Sequence, residues 1–226
     1  PLEADTDGIY VVAVEYFEHP EVLLAKAQAI LPEGIELEYD GRYVSMFCYK
    51  AKNYALYDGE LVTIRGSALR SRGIEPFLKD LSWRLIHCLL GAAEEDPAEM
   101  VEDVQRRIEA QELPVSKIAK SEVLSQNPDA YQKKMEAGGK PRRASLEVAL
   151  RMGEQTRMGD RVSYYIAPKQ PGQTSDWQRA HPISEYDPEK APYDASYYVK
   201  KLDDWRQRYA PFCPALARDP NQGELF

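Results

Sequence analysis

Cysteine and histidine are scarce in this chain of 226 residues, at three each. Cys48, Cys88 and Cys213 lie far apart, are odd in number, and come without a C-x-x-C or a paired-histidine spacing. Neither a zinc site nor a disulfide framework is expected, and a reducing cytoplasm is the expected compartment. Long hydrophobic runs are missing as well. Stretches such as Ile9–Val14 and Leu85–Leu90 fall far short of the roughly 20 apolar residues that a membrane helix needs, so no membrane partner is expected. No signal peptide is visible. Positive charge is in deficit, with 29 Lys and Arg against 37 Asp and Glu and a net charge of −8. That excludes a protein coated in positive charge but not one with a local basic face. No internal repeat is present.

The pattern along the chain changes once. Ile9–Phe17 reads as a strand, and Pro20-Glu21 opens an amphipathic helix with Val22, Leu23, Ala27 and Ile30 on one face. Short strands are expected at Ile35–Tyr39, Arg42–Tyr49, Tyr54–Tyr57 and Leu61–Ile64, with Asp40-Gly41 and Asp58-Gly59 as hairpin turns. From Gly66 onward the period becomes helical. Ile74, Phe77, Leu78, Leu81, Leu85, Leu89 and Leu90 predict a long helix, and Met100, Val101, Val104 and Ile108 predict a second. Residues 115–158 are polar and mixed. Arg161–Ala167 reads as a strand, 168–192 as mostly loop, and Asp194–Tyr209 as a helix with Tyr198, Leu202 and Trp205 on one face. From Pro211 the tail has no periodicity and is expected to be disordered up to its last five residues. The class is α+β: an antiparallel sheet with a helix, then a mostly α-helical part.

Three motifs carry candidate chemistry. Asp5-Thr6-Asp7-Gly8 places two carboxylates around one threonine, and on a hairpin turn both can approach shared divalent cations. Oxygen ligands suit Mg²⁺, which also keeps phosphate oxygens in its shell. A metal site needs more ligands than these two, and little chain precedes them, so they read as part of a larger site. Acidic pairs in turns more often cap or solvate. The second motif is Lys50-Ala51-Lys52-Asn53-Tyr54. On a strand, Lys52 and Tyr54 would share a face and offer a cation and a phenol to a sugar-phosphate backbone, against the bland reading of an exposed lysine beside a half-buried tyrosine. The third is Thr63-Ile64-Arg65-Gly66 with Arg70 and Arg72 before the long helix. Arginines there oppose the helix dipole and suggest an anion, with surface ion pairing as the alternative. Lys117, Lys120, Lys133, Lys134, Lys140, Arg142 and Arg143 outnumber the acids in 115–143, as a DNA-facing surface or a solvated charge run would.

The order D-T-D-G-I-Y, E-L-E-Y, K-x-Y-A-L, T-x-R-G, then a long helix, resembles the carboxy-terminal part of family B DNA polymerases. Gly159-Asp160-Arg161-Val162-Ser163-Tyr164 is similar to that family's thumb motif. The resemblance implies a palm-type antiparallel sheet ending near 65, a thumb over 66–212 and a flexible tail over 213–226. It implies two Mg²⁺ ions, with Asp7 a direct ligand of both and Asp5 the flanking catalytic carboxylate. Lys50, Lys52, Tyr54, Arg65, Arg70, Arg72 and Arg161 would contact primer–template DNA, and deoxynucleoside triphosphates would be the substrates. Glu3-Ala4 stands where the family usually shows Tyr-Gly, and Gly8 where Ser is commoner.

The resemblance also implies an upstream polymerase part with another metal aspartate, the fingers and an exonuclease. Cutting, proteolysis or a split gene would each account for their being elsewhere, and the chain by itself is expected to be inactive. Gln222-Gly223-Glu224-Leu225-Phe226 resembles a bacterial sliding-clamp peptide, with Leu225 and Phe226 as apolar anchors and Gln222 as a directional hydrogen-bonding group. That favours a bacterial, polymerase II-like member in the nucleoid-containing cytoplasm. Two other functions stay open: a non-catalytic DNA- and clamp-binding accessory module, and a phosphatase of the D-x-D-G type.

Overall fold

The computed structural model describes residues 2–5, 8–69, 73–153 and 156–217, with Asp5 described by its backbone alone. It divides into two compact units, 1–71 with 84–94 and 72–83 with 95–226. All three sheets are antiparallel. The α+β class is as expected.

The first unit begins with a hairpin of β1 (Glu3–Asp5) and β2 (Gly8–Tyr10), paired Glu3↔Tyr10, Ala4↔Ile9 and Asp5↔Gly8. The expected strand over Ile9–Phe17 stops at Tyr10, and a 3₁₀ turn covers Val14–Tyr16. Helix α1 (Pro20–Gln28) follows, with Pro20 in its first turn. Ile35–Tyr39 forms no strand, and Asp40-Gly41 closes no hairpin, because neither flank has a partner strand among the described residues. The sheet proper is β3 (Ser45–Lys50), β4 (Asn53–Tyr57) and β5 (Val62–Arg65). Phe47, Ala55 and Leu56 are its buried residues. The Asp58-Gly59 turn forms as expected, with the Asp58 carboxylate accepting from the amides of Glu60 and Leu61 at 2.9 and 2.8 Å.

Helix α2 (Pro76–Leu89) realises the long apolar repeat, and the division between units falls within it, after Trp83. Helix α3 (Pro97–Glu109) is capped by Asp96, whose carboxylate accepts from Ala98 N at 2.7 Å, and it buries the four residues expected. Residues 115–152 resolve into α4 (Val115–Ile118), β6 (Lys120–Val123), α5 (Pro128–Glu136) and α6 (Ala144–Met152). Strands β7 (Arg161–Ile166) and β8 (Ala180–Pro182) complete a sheet in the order β6-β7-β8.

Helix α7 (Ala195–Tyr209) buries Tyr198, Leu202, Trp205 and Tyr209. Trp205 donates from Nε1 to Ser82 Oγ at 2.8 Å, and Ser82 donates onward to the Leu78 carbonyl at 2.8 Å, so the indole nitrogen is satisfied in a dry core. The chain does not loosen at Pro211. Cys213 and Leu216 are buried, and Pro214–Leu216 forms a 3₁₀ turn. Two apolar anchors were enough to dock a segment with no periodicity to announce it.

Candidate functional site

The D-T-D hairpin and the Lys52–Tyr54 hairpin are joined by two hydrogen bonds. The Lys52 amide donates to Glu3 Oε1 at 2.9 Å, and the hydroxyls of Tyr10 and Tyr54 are 3.3 Å apart. The register explains both. A two-residue gap between β1 and β2 pairs Glu3 with Tyr10, so one face of the hairpin offers an acceptor and a phenol together. Tyr10 also packs at a tilt on Tyr54 and Tyr43, with ring centroids 5.2 and 6.2 Å away. Burial, then the bond to Tyr54, pushes the Tyr10 hydroxyl well above the usual phenol range, so it stays protonated. Burial likewise raises Tyr43, where Asp40 adds to the effect and Arg65 opposes it.

Lys52 is not on a strand. It is the second residue of the two-residue turn between β3 and β4, at a left-handed φ of 61°. Lys52 therefore does not share a strand face with Tyr54, contrary to expectation. Tyr54 stands opposite Arg65 on β5 and Cys48 on β3, so the cation beside the phenol is Arg65. A bulge between Cys48 and Lys50 sets the turn, and Lys50 lies at its start with its ammonium 5.3 Å from the centroid of the Tyr49 ring. Lys50, Lys52 and Arg65 are all exposed.

Gly66 ties the third motif to the second. It has φ 87°, and a Cβ there would collide with the Lys52 carbonyl and the Asn53 side-chain oxygen. Asn53 spans the same corner, donating to the Ala51 carbonyl at 2.9 Å and accepting from Ala68 N at 2.8 Å. The glycine of T-x-R-G is thus required by a close backbone approach.

The structure thus brings together the backbone of Asp5, Lys50, Lys52, Tyr54 and Arg65. Asp7, Arg70, Arg72, Gln222, Leu225 and Phe226 lie outside the described residues. Arg161 opens β7 in the second unit, exposed and opposite Val123. The rest of G-D-R-V-x-Y is architectural. Gly159 takes φ 97°, Asp160 accepts from Arg157 N at 2.7 Å, and Val162 and Tyr164 are buried.

Three of the seven basic residues in 115–143 are consumed within the chain. Lys117 pairs with Asp80 at 2.5 Å, Lys120 with Glu122 at 2.6 Å and Arg142 with Glu147 at 2.8 Å. Lys133, Lys134 and Lys140 remain exposed, and Arg143 reaches Ser125 Oγ at 3.1 Å.

Sequence reasoning passed over Glu3 and Tyr10, although a two-residue gap after Asp5 was signal enough to pair them. It also passed over Arg179, whose side chain is 10% exposed and pairs with Asp194 at 2.7 Å and Asp176 at 3.0 Å. Burial alone would raise the Asp194 carboxyl. Hydrogen bonds from Ser196, the Tyr197 amide and Arg179 outweigh it and hold that carboxyl below the usual carboxylate range.

Along the chain, a unit built on an antiparallel sheet is followed by a largely helical unit with a small sheet of its own. A solved structure, the family B DNA polymerase from the hyperthermophilic archaeon Pyrobaculum calidifontis, shares the fold with a TM-score of 0.64 at 19% identity, over 88% of this chain and 25% of that one. The family pattern for DNA polymerase family B matches residues 13–205, and the chain belongs to that family. A DNA polymerase of Desulfurococcus sp. (strain Tok) is 30% identical over 206 residues, covering 88% of this chain and 26% of that protein. A DNA polymerase of Thermococcus gorgonarius gives the same identity and coverage, 30% over 206 residues, 88% and 26%. The chain spans about a quarter of the length of these relatives.

Proposed function

We propose that this chain is the closing part of the palm, up to about residue 65, and the thumb that follows it, in a DNA-directed DNA polymerase. The bacterial polymerase II-like branch and a place in the nucleoid-containing cytoplasm belong to the same reading. What supports it most is the pair of bonds tying the hairpin that carries Asp5 to the one that carries Lys52 and Tyr54, at 2.9 and 3.3 Å. A carboxylate hairpin fixed beside exposed cations and a phenol is what a growing strand's end requires on this wall of an active site.

The donor chemistry fits magnesium, since aspartate oxygens are hard ligands. Among the described residues no group of three metal-ligating side chains gathers, and Asp7 lies outside them. In this reading Asp5 and Asp7 hold two Mg²⁺ ions together with ligands from an upstream polypeptide. The ions would supply charge stabilisation for nucleotidyl transfer from a deoxynucleoside triphosphate. Lys50, Lys52, Tyr54 and Arg65 grip primer–template DNA near its end, Tyr10 orients the Tyr54 hydroxyl, and Arg70, Arg72 and Arg161 contact the duplex further on. Gln222, Leu225 and Phe226 engage a bacterial sliding clamp.

The test is reconstitution with the polypeptide encoded ahead of residue 1. The mixture should extend a primer with Mg²⁺, the chain alone should not, and Asp7→Ala should abolish extension. Extension by the chain alone, or undiminished extension by Asp7→Ala, overturns the reading. DNA and clamp binding without any extension would favour the accessory module instead. The phosphatase resemblance rested on D-T-D-G alone, and family membership leaves it without support.

A further inference from the structure

The two-residue turn between β3 and β4 holds a conformation that its own sequence does not favour. Lys52 has φ 61°, a left-handed value that glycine or asparagine takes easily and lysine does not. Such backbone persists where its surroundings fix it. Lys50 pairs with Asn53, which leaves Ala51 and Lys52 outside the ladder, so the Lys52 amide needs an acceptor from beyond β3 and β4. Glu3 supplies it, accepting at Oε1 at 2.9 Å. On the other side Gly66 leaves room for the Lys52 carbonyl, where any Cβ would collide with it. The turn is gripped at both its amide and its carbonyl.

The β1–β2 ladder delivers Glu3 to that place. Leu2 N donates to the Tyr10 carbonyl at 2.7 Å, and Glu3 stands directly opposite Tyr10, so both side chains leave the hairpin on one face and reach Lys52 and Tyr54. The same strand brings its Leu2 carbonyl within 3.9 Å of Cys48 Sγ, and the Glu3 charge adds to burial in raising that thiol. A carboxylate is an unfavourable neighbour for a cation meant for phosphate, because it repels the backbone that the cation attracts. Its other property is to accept hydrogen bonds while donating none. Position, and not charge, is what Glu3 contributes here.

We infer that Glu3 is a positioning residue. Its carboxylate holds the Lys52 amide, fixes the left-handed turn, and so sets, from the hairpin that carries Asp5, where the Lys52 ammonium meets primer–template DNA. The hold on the turn stands on the geometry; the DNA rests on the polymerase reading.

Two measurements on the full chain test it. Amide exchange at Lys52 should be at least about 10-fold faster in Glu3→Ala than in wild type, the size of one lost charge-assisted hydrogen bond. Glu3→Gln, whose side-chain oxygen still accepts, should keep it slow, and unchanged exchange in α3 will show that each variant folds. Binding of a fluorescent primer–template duplex at low salt is the second readout. Glu3→Ala should bind roughly 10-fold more weakly and Glu3→Gln no more weakly than wild type. In a Lys52→Ala background, Glu3→Ala should cost nothing further, because the residue acts through Lys52. Tighter binding by both Glu3 variants would assign the effect to charge, and an additive double variant would assign it to a general structural loss. Either result overturns the proposal, as does unchanged Lys52 exchange in Glu3→Ala. A chain that shows the exchange pattern but holds no duplex leaves Glu3 fixing the turn and removes the part of the polymerase reading that gives Lys52 to DNA.

Discussion

Helices α1 and α3 open alike, each on a proline in its first turn, and meet opposite fates. Of the two, α3 is capped by a side chain, from Asp96, and gathers its apolar residues more sharply on one face. In α3, Met100, Val101, Val104 and Ile108 are buried, and Tyr193 donates from its hydroxyl to the Ile108 carbonyl at 3.2 Å. In α1, no residue is buried. The difference lies in what the rest of the chain supplies. Around α3 the chain delivers α7 and the 3₁₀ turn at Pro214–Leu216, with Trp205, Tyr209 and Leu216 buried. Around α1 it delivers the 3₁₀ turn at Val14–Tyr16, where Lys26 donates to the Tyr16 hydroxyl at 2.8 Å, and the backbone of Ile35 and Leu37, bonded to Gln28 at 2.6 and 2.8 Å, none of it buried. A sharp apolar stripe and a packing partner occur together at α3.

The sharpest way to break this comparison is to truncate one residue on each side of it. Trp205→Ala should destabilise the second unit by about 3–5 kcal/mol, through a cavity and the loss of the indole's hydrogen bond to Ser82. Val14→Ala in the free chain should change stability by less than about 0.5 kcal/mol. Denaturant unfolding followed by amide exchange in α3 and α1 reads both. A Val14 effect of similar size to that of Trp205 would mean that the first segment has a core after all.

Arg179→Met should cost about 3 kcal/mol, since it strands the nearly buried Asp194 carboxylate that caps α7. The same pair predicts an acid dependence. Asp194 is held below its ordinary value in the folded chain, so its contribution is present above the unfolded-state value of about 3.9 and is lost as pH falls through the folded value. Asp194→Asn should lower stability at neutral pH and flatten the loss in acid, as melting curves across that range will show.

A smaller effect is expected at the corner of the first unit. Gly66→Ala should cost roughly 2 kcal/mol, from the left-handed φ and the collision with the Lys52 carbonyl. Its mark should be faster amide exchange in β4 and β5 with α7 unchanged.

The legible parts of this molecule were those whose signals are local. Asp96-Pro97 and Asp194 cap helices through their own side chains, and the apolar repeats behind them lie within one helix each. Strands were legible where chain neighbours pair, and also at Arg161–Ile166, whose partner strands lie further off in the chain. Tyr54–Tyr57 and Leu61–Ile64 formed almost as expected around the Asp58 turn, whereas Ile35–Tyr39, with equal β character, found no partner among the described residues. The candidate site was legible as a set of motifs and illegible as an arrangement. Lys52 was read with strand spacing, yet the polar interruption Lys50-Ala51-Lys52-Asn53 between two apolar runs was itself a turn signal. The Arg179–Asp194 pair spans a loop of irregular chain, and no spacing rule links its members.

The left-handed backbone at Lys52 sets two requirements against each other. Glycine or asparagine would sit there at ease, and a lysine gives up about 1 kcal/mol to occupy it. A breeder selecting only for heat resistance would swap it and gain a firmer hairpin. The cation at the tip of that loop would vanish in the same step, so robustness and grasp are rivals at a single codon.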